Sequence, residues 1–139
     1  MVHTGRARHQ TSQRLILDSG AVIALARGAQ RARAFLARAL ELGARVEVPV
    51  VVVAETVRGG PRDAPVNRVL KAIGSVPEAR EVHGRLAGQF LAAARSAATV
   101  DALVLAHAVE GGGGDLLTGD RDDLERLAAA NPEVRIHPL

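Results

Sequence analysis

The chain has 139 residues, enough for one ordinary domain with a real core, and its 47% hydrophobic content among mixed charges excludes a disordered polymer. It contains no cysteine, which excludes disulfides, thiolate metal sites and a cysteine nucleophile, and which favours hard cations such as Mg²⁺ or Mn²⁺ on oxygen ligands. The net charge of +3 comes from Arg6, Arg8 and Arg14; the remainder balances 15 basic against 15 acidic side chains, so any global attraction to nucleic acid is modest.

In chain order, residues 1–13 are polar and basic without apolar periodicity and are expected to form a flexible extension, leaving residues 14–139 as a single domain. Leu15-Ile16-Leu17 predicts a short buried strand ending at Asp18; Ser19 is expected to cap a helical turn over Ala21 to Ala26, closed by Gly28. Phe35, Leu36, Ala39 and Leu40 form a stripe that predicts a helix from Gln30 to Leu42. A strand follows at Val46 to Val48, then a helix from Pro49 to about Val57, terminated by Gly59-Gly60-Pro61. Further helices are expected at Ala64 to Ile73, Ala79 to Arg95 and Val100 to Val109, with a short strand at Ser75-Val76. Gly111 to Gly114 is expected to be a hinge, followed by a strand at Asp115 to Thr118, a helix at Arg121 to Ala130 and a last strand at Val134 to His137. Strands separated by helices predict a parallel sheet covered on both faces, the α/β layered class.

No window reaches the roughly 18 uninterrupted apolar residues of a membrane span, because Asp18 breaks the longest run, and no signal-like segment opens the chain. A cytoplasmic location without membrane association is the expectation.

Asp18, Glu55, Asp101 and Asp120 each fall where an apolar strand or helix meets a turn. Ligands of an open parallel sheet bind beyond the carboxyl ends of its strands, and Asp18 and Asp120 both follow strands. Each acid has an ordinary structural explanation: a helix cap for Asp120, a favourable helix start for Asp101, an ion pair with Arg58 for Glu55, a turn for Asp18. Taken together, Asp18 and Glu55 intrude into apolar runs where a lone buried charge is costly, and a shared cation explains both.

The segments Leu15-Ile-Leu-Asp-Ser-Gly-Ala-Val-Ile-Ala-Leu25, Val53-Ala-Glu-Thr56, Val100-Asp-Ala-Leu-Val-Leu-Ala106 and Leu117-Thr-Gly-Asp-Arg-Asp-Asp-Leu124 resemble, in order and spacing, the motifs of PIN-domain nucleases, and most closely VapC-type toxins of bacterial toxin–antitoxin pairs. The resemblance covers about Leu15 to Leu139. It implies a three-layer sandwich with a short, mainly parallel sheet, and a metal-dependent endoribonuclease. Asp18, Glu55, Asp101 and Asp120 would then be the catalytic acids holding Mg²⁺ or Mn²⁺, supported by Thr118, with Asp122 and Asp123 as outer acids. It also implies a structured RNA substrate such as tRNA or rRNA, a VapB-like antitoxin and a homodimer. Two departures stand out: a basic extension precedes the first strand, and Gly119 occupies a position where the family commonly carries serine or alanine.

Rival chemistries lack their residues. There is no phosphate-binding Gly-x-x-x-x-Gly-Lys-Ser/Thr, no dinucleotide Gly-x-Gly-x-x-Gly, no Gly-x-Ser-x-Gly and no His-Glu-x-x-His. A phosphoacceptor receiver would need a late lysine, but Lys71, the only lysine, lies in a helical stretch; a haloacid-type phosphotransferase would need an aspartate at Gly20. His3, His9, His83, His107 and His137 show no ligand spacing. Phe35 and Phe90 are the only aromatics besides histidine, so an RNA would be gripped by backbone and shape and not by base stacking. Arg27, Arg58 and Arg121 lie beside the acidic motifs as potential phosphate contacts. The alternative is a non-catalytic metal- or RNA-binding domain on the same fold.

Overall fold

The computed structural model describes residues 13–139; the expected basic extension, apart from Gln13, lies outside the described residues. The elements are β1 (Arg14–Leu17), α1 (Ser19–Ala26), α2 (Gln30–Glu41), β2 (Arg45–Glu47), α3 (Val50–Thr56), a 3₁₀ turn (Pro61–Asp63), α4 (Ala64–Ile73), α5 (Glu81–Ala94), α6 (Thr99–Glu110), β3 (Gly114–Thr118), α7 (Arg121–Leu127) and β4 (Val134–Pro138). The strands form one sheet in the order β2-β1-β3-β4, with every pairing parallel. Among the described residues no single helix is long and apolar enough to cross a membrane.

All four residues of β1 are buried, as a central strand covered on both faces requires. Side chains alternate across a strand, so Arg14, Ile16 and Asp18 point one way and Leu15 and Leu17 the other. Ile16 is in register with Glu47 on one side and Leu116 on the other, which puts Glu47, Leu116 and Thr118 on the face of Arg14 and Asp18. Helix α6 covers that face with Val104 and Leu105, both fully buried. Burying a side chain of this size contributes about 1.5–3 kcal/mol. Helix α2 lies on the opposite side, where the Phe35 ring meets His137 at 4.9 Å between centroids.

Three local expectations change. Ser75-Val76 is not a strand: Ser75 accepts one backbone hydrogen bond from Val48 N–H (3.1 Å), beyond the end of β2, and no ladder follows. Helix α1 begins at Ser19 and not later, and its cap is Asp18, whose carboxylate accepts from Ala21 N–H (2.9 Å). Gly111 to Gly114 is a packed turn and not a hinge. A Cβ on Gly111 would lie 2.4 Å from the Arg14 guanidinium carbon, and one on Gly114 would lie 2.7 Å from the Arg14 carbonyl oxygen.

That turn wraps a buried ionic cluster at the amino-terminal edge of the sheet. The Arg14 guanidinium donates to Glu47 Oε1 (2.8 and 3.1 Å) and to the carbonyls of Ala108 (3.0 Å), Gly113 (2.9 Å) and His107 (3.3 Å). His107 Nε2 lies 2.9 Å from Glu47 Oε1, and Arg45 Nε reaches Glu47 Oε2 at 2.7 Å. Burial opposes ionisation of Glu47, but hydrogen bonds from His107 and Arg14 and the Arg14 charge outweigh it and bring its pKa down to about 2.

Candidate metal centre

The carboxyl edge of a parallel sheet collects whatever follows its strands, and here it forms a cleft of about 440 Å³. Asp18, Ser19 and Gly20 line it after β1, Glu55 from α3, Ala98 to Asp101 with Val104 around the start of α6, and Gly119 with Asp120 after β3. The structure therefore brings Asp18, Glu55, Asp101 and Asp120 to one cleft. It does so by topology: β1 and β3 run parallel, and α6 runs back with Asp101 in its first turn at this edge and His107 at the other.

Asp18 is the most fixed of the four. It is 5% exposed, and its Oδ2 accepts from the buried Thr118 hydroxyl while Ala21 N–H binds Oδ1 and Gly119 N–H reaches both oxygens (3.2 and 3.3 Å). Burial raises its pKa, the three donors act against that rise, and nearby Asp120 adds to it. Thr118 also accepts from Asp120 N–H (2.7 Å), so one hydroxyl sets both acidic loops. The two loops touch: a Cβ on Gly20 would sit 2.8 Å from Gly119 Cα, and one on Gly119 would sit 3.1 Å from Gly20 Cα. Glycine at position 20, more than at 119, is what lets the loops that carry Asp18 and Asp120 meet.

Asp101 is pushed up to about 7, first by burial and then by the charges of Asp120, Asp18 and Asp123. Such a rise measures crowding of negative charge that a cation would relieve. The oxygens of Asp101, Asp120 and Asp123 lie within 4.8 Å of one another, the only such group of three acid or imidazole side chains among the described residues.

Glu55 stands apart. It is exposed on the cleft wall, not buried, because the solvent-facing side of α3 turns toward the opening. Its Oε1 accepts from the Ser19 hydroxyl. The pair with Arg58 does not form; Arg58 donates instead to the Ala54 carbonyl (2.8 Å). Arg121 is engaged by Glu125 (2.8 Å). Sequence reasoning missed the hydroxyl of Ser19 as a partner of Glu55, although Ser19 directly follows Asp18; Asp123, expected as an outer acid, lies beside Asp101 and Asp120, whereas Asp122 is not in that group. The three-residue spacing from Asp120 to Asp123, one turn of a helix, is the signal that separates Asp123 from Asp122.

The donor set of carboxylates and hydroxyls, without thiolate, fits a hard divalent cation, and the convergence of acids in an open cleft fits its need for several oxygens. A profile described as the PIN domain matches residues 15–130. Among solved structures the chain is similar to VapBC2 from Rickettsia felis bound to a DNA fragment from their promoter, with a TM-score of 0.71 and 12% identity over 91% of this chain and 98% of that one. It is also similar to FitAcB from Neisseria gonorrhoeae, with a TM-score of 0.61 and 19% identity over 88% of this chain and 95% of that one. No curated protein matches the sequence. Because the match at residues 15–130 spans well over half of the chain and coincides with the fold and the acidic cleft, the protein belongs to the PIN-domain family.

Proposed function

We propose that residues 14–139 form a metal-dependent endoribonuclease of the VapC toxin type, acting on structured RNA such as tRNA or rRNA in the cytoplasm. The observation that carries this reading is the convergence of Asp18, Glu55, Asp101 and Asp120 on one cleft, with Asp101 pushed up to about 7 by its acidic neighbours. These acids would hold Mg²⁺ or Mn²⁺. The bound cation would polarise the phosphodiester and make an attacking water more acidic.

The chain itself supplies position. Thr118 and the backbone N–H groups of Ala21 and Gly119 hold the Asp18 carboxylate in one orientation, so that it need not reorganise when substrate arrives. Ser19 holds Glu55 on the facing wall. Asp101 and Asp120 stand between them on α6 and on the loop after β3. The absence of aromatic platforms in the sequence leaves recognition to backbone and shape. An antitoxin that covers the cleft and a second copy of the chain complete the proposal, supported by the likeness to VapBC2 and FitAcB.

The test is incubation of the purified protein with total cellular RNA and with tRNA, in Mn²⁺ or Mg²⁺, beside EDTA and the Asp101→Asn variant. Discrete metal-dependent products that the folded variant does not make are expected, since an amide ligates Mg²⁺ poorly. A fully active Asp101→Asn protein would overturn the assignment. Metal binding with no cleavage of RNA from several sources would favour a non-catalytic binding domain.

A further inference from the structure

We propose that Asp123 is a direct ligand of the cation in this cleft and that Arg126 competes with the cation for it; the inference rests on the metal-binding part of the reading above. The two acids of α7 that follow Asp120 separate in the structure. Asp122 is exposed, while Asp123 is half-buried with a carboxylate oxygen within 4.8 Å of oxygens of both Asp101 and Asp120. Two oxygens bound to one Mg²⁺ at 2.0–2.1 Å can be no more than about 4.2 Å apart, so this trio needs only a small closure to share an ion.

The position follows from sequence. Asp120 sits at the start of α7 and Asp123 one turn later, so both side chains rise on the side of the helix that meets Asp101. Asp122 is rotated about 100° away. Arg126, a further turn on, donates to Asp123 Oδ1 at 3.1 Å from an exposed position. An exposed pair of this kind is weak, so a divalent ion can displace it, and the Arg126 charge opposes any cation bound through the same carboxylate.

The experiment is titration of Mn²⁺ into the metal-free full chain, without RNA, followed by calorimetry and by the electron paramagnetic resonance signal of free Mn²⁺. Wild type is compared with Asp123→Asn, Asp122→Asn and Arg126→Gln, all checked for folding by circular dichroism. Asp123→Asn should weaken Mn²⁺ binding by more than about 100-fold, beyond the roughly 10–100-fold that losing a residue which only supports a ligand costs. Asp122→Asn removes the same charge one residue away and should change affinity by less than about twofold, whereas a mere field effect would move both variants alike. Arg126→Gln should tighten binding a few-fold. Equal affinity of wild type and Asp123→Asn, or parallel losses in both aspartate variants, would overturn ligation by Asp123; an unchanged Arg126→Gln would overturn the competition. Failure of wild type to bind Mn²⁺ at all would defeat the metal reading itself, a result distinct from either.

Discussion

The carboxyl of Asp101 ties the stability of the metal-free protein to pH in an unusual direction. Its folded pKa of about 7 lies above the ordinary 3.8, so the folded state binds its proton more tightly than the unfolded state does. The contribution of this group is therefore fully present below pH 3.8, is lost as pH rises towards 7, and changes no further above that; Asp18, also raised, adds the same sign. Glu47 acts oppositely, its contribution being present above 4.5 and lost only as pH falls towards about 2, so the window between pH 4.5 and 7 belongs to the acidic cleft. In EDTA, thermal melting should be lower at pH 8 than at pH 5.5. Mn²⁺, which needs the ionised acid, should raise the melting temperature at pH 8 far more than at pH 5.5. Asp101→Asn should flatten the EDTA profile, and parallel pH curves for wild type and this variant would refute the assignment of the slope to Asp101.

A glycine provides the second test at this scale. Gly20 and Gly119 are in backbone contact, and a Cβ on Gly20 would fall 2.8 Å from Gly119 Cα, where no flexible side chain can yield. Gly20→Ala should cost about 1–3 kcal/mol in denaturant unfolding, as overpacking typically does. Because the displaced loop carries Asp120, Mn²⁺ affinity should fall with it. A variant as stable as wild type with unchanged affinity would show that the two loops are free to separate.

Among the elements, the cluster around Arg14 shows where stability is concentrated and where sequence reading stopped. Arg14→Met would leave Glu47 buried without its main cationic partner, with only the exposed Arg45 still on its second oxygen. Breaking a buried pair on one side costs about 3–5 kcal/mol, so the urea midpoint should drop sharply, and a loss under about 1 kcal/mol would mean that Arg45 and His107 suffice. Nothing local in the sequence announces this role: Arg14 looks like the end of a basic tail, and its partners Glu47 and Gly113 lie 33 and 99 residues away. The same remoteness disguised Gly111 and Gly114, whose lack of side chains is explained by Arg14 lying against them, and Gly113, which lies against Glu133. What was legible was periodic or topological. The apolar runs of β1 and β3 and the stripes of the helices predicted a parallel sheet, and parallel strands put Asp18 and Asp120 at one edge. Glu55 was placed in the right cleft for a partly wrong reason, since the valines before it suggested burial that the opening of the cleft removes. Ser75-Val76 looked like a strand because extended backbone and ladder pairing cannot be told apart in so short a segment.

At the scale of the whole molecule, the sheet separates two charged centres with different tasks. Four residue steps along β1 separate Arg14 from Asp18, roughly 13 Å at the rise of an extended strand, and α6 runs between the same two edges from Asp101 to His107. One centre is saturated with hydrogen bonds and drives Glu47 to full ionisation; the other crowds acids until one of them holds its proton near neutrality. A fold that stores like-charge repulsion at its opening needs its stability elsewhere, and the apolar core supplies it, while the ionic cluster at the amino-terminal edge shares no side chain with the cleft. Effects at sites more than 7–10 Å apart without common partners usually add within about 0.5 kcal/mol. The stability lost in Arg14→Met should therefore be the same in EDTA and in saturating Mn²⁺, and the Mn²⁺ dissociation constant of the folded variant should match wild type. A coupling above about 1 kcal/mol in that cycle would show that β1 and α6 transmit strain between the two edges, and that the acidic cleft is not independent of the ionic cluster behind it.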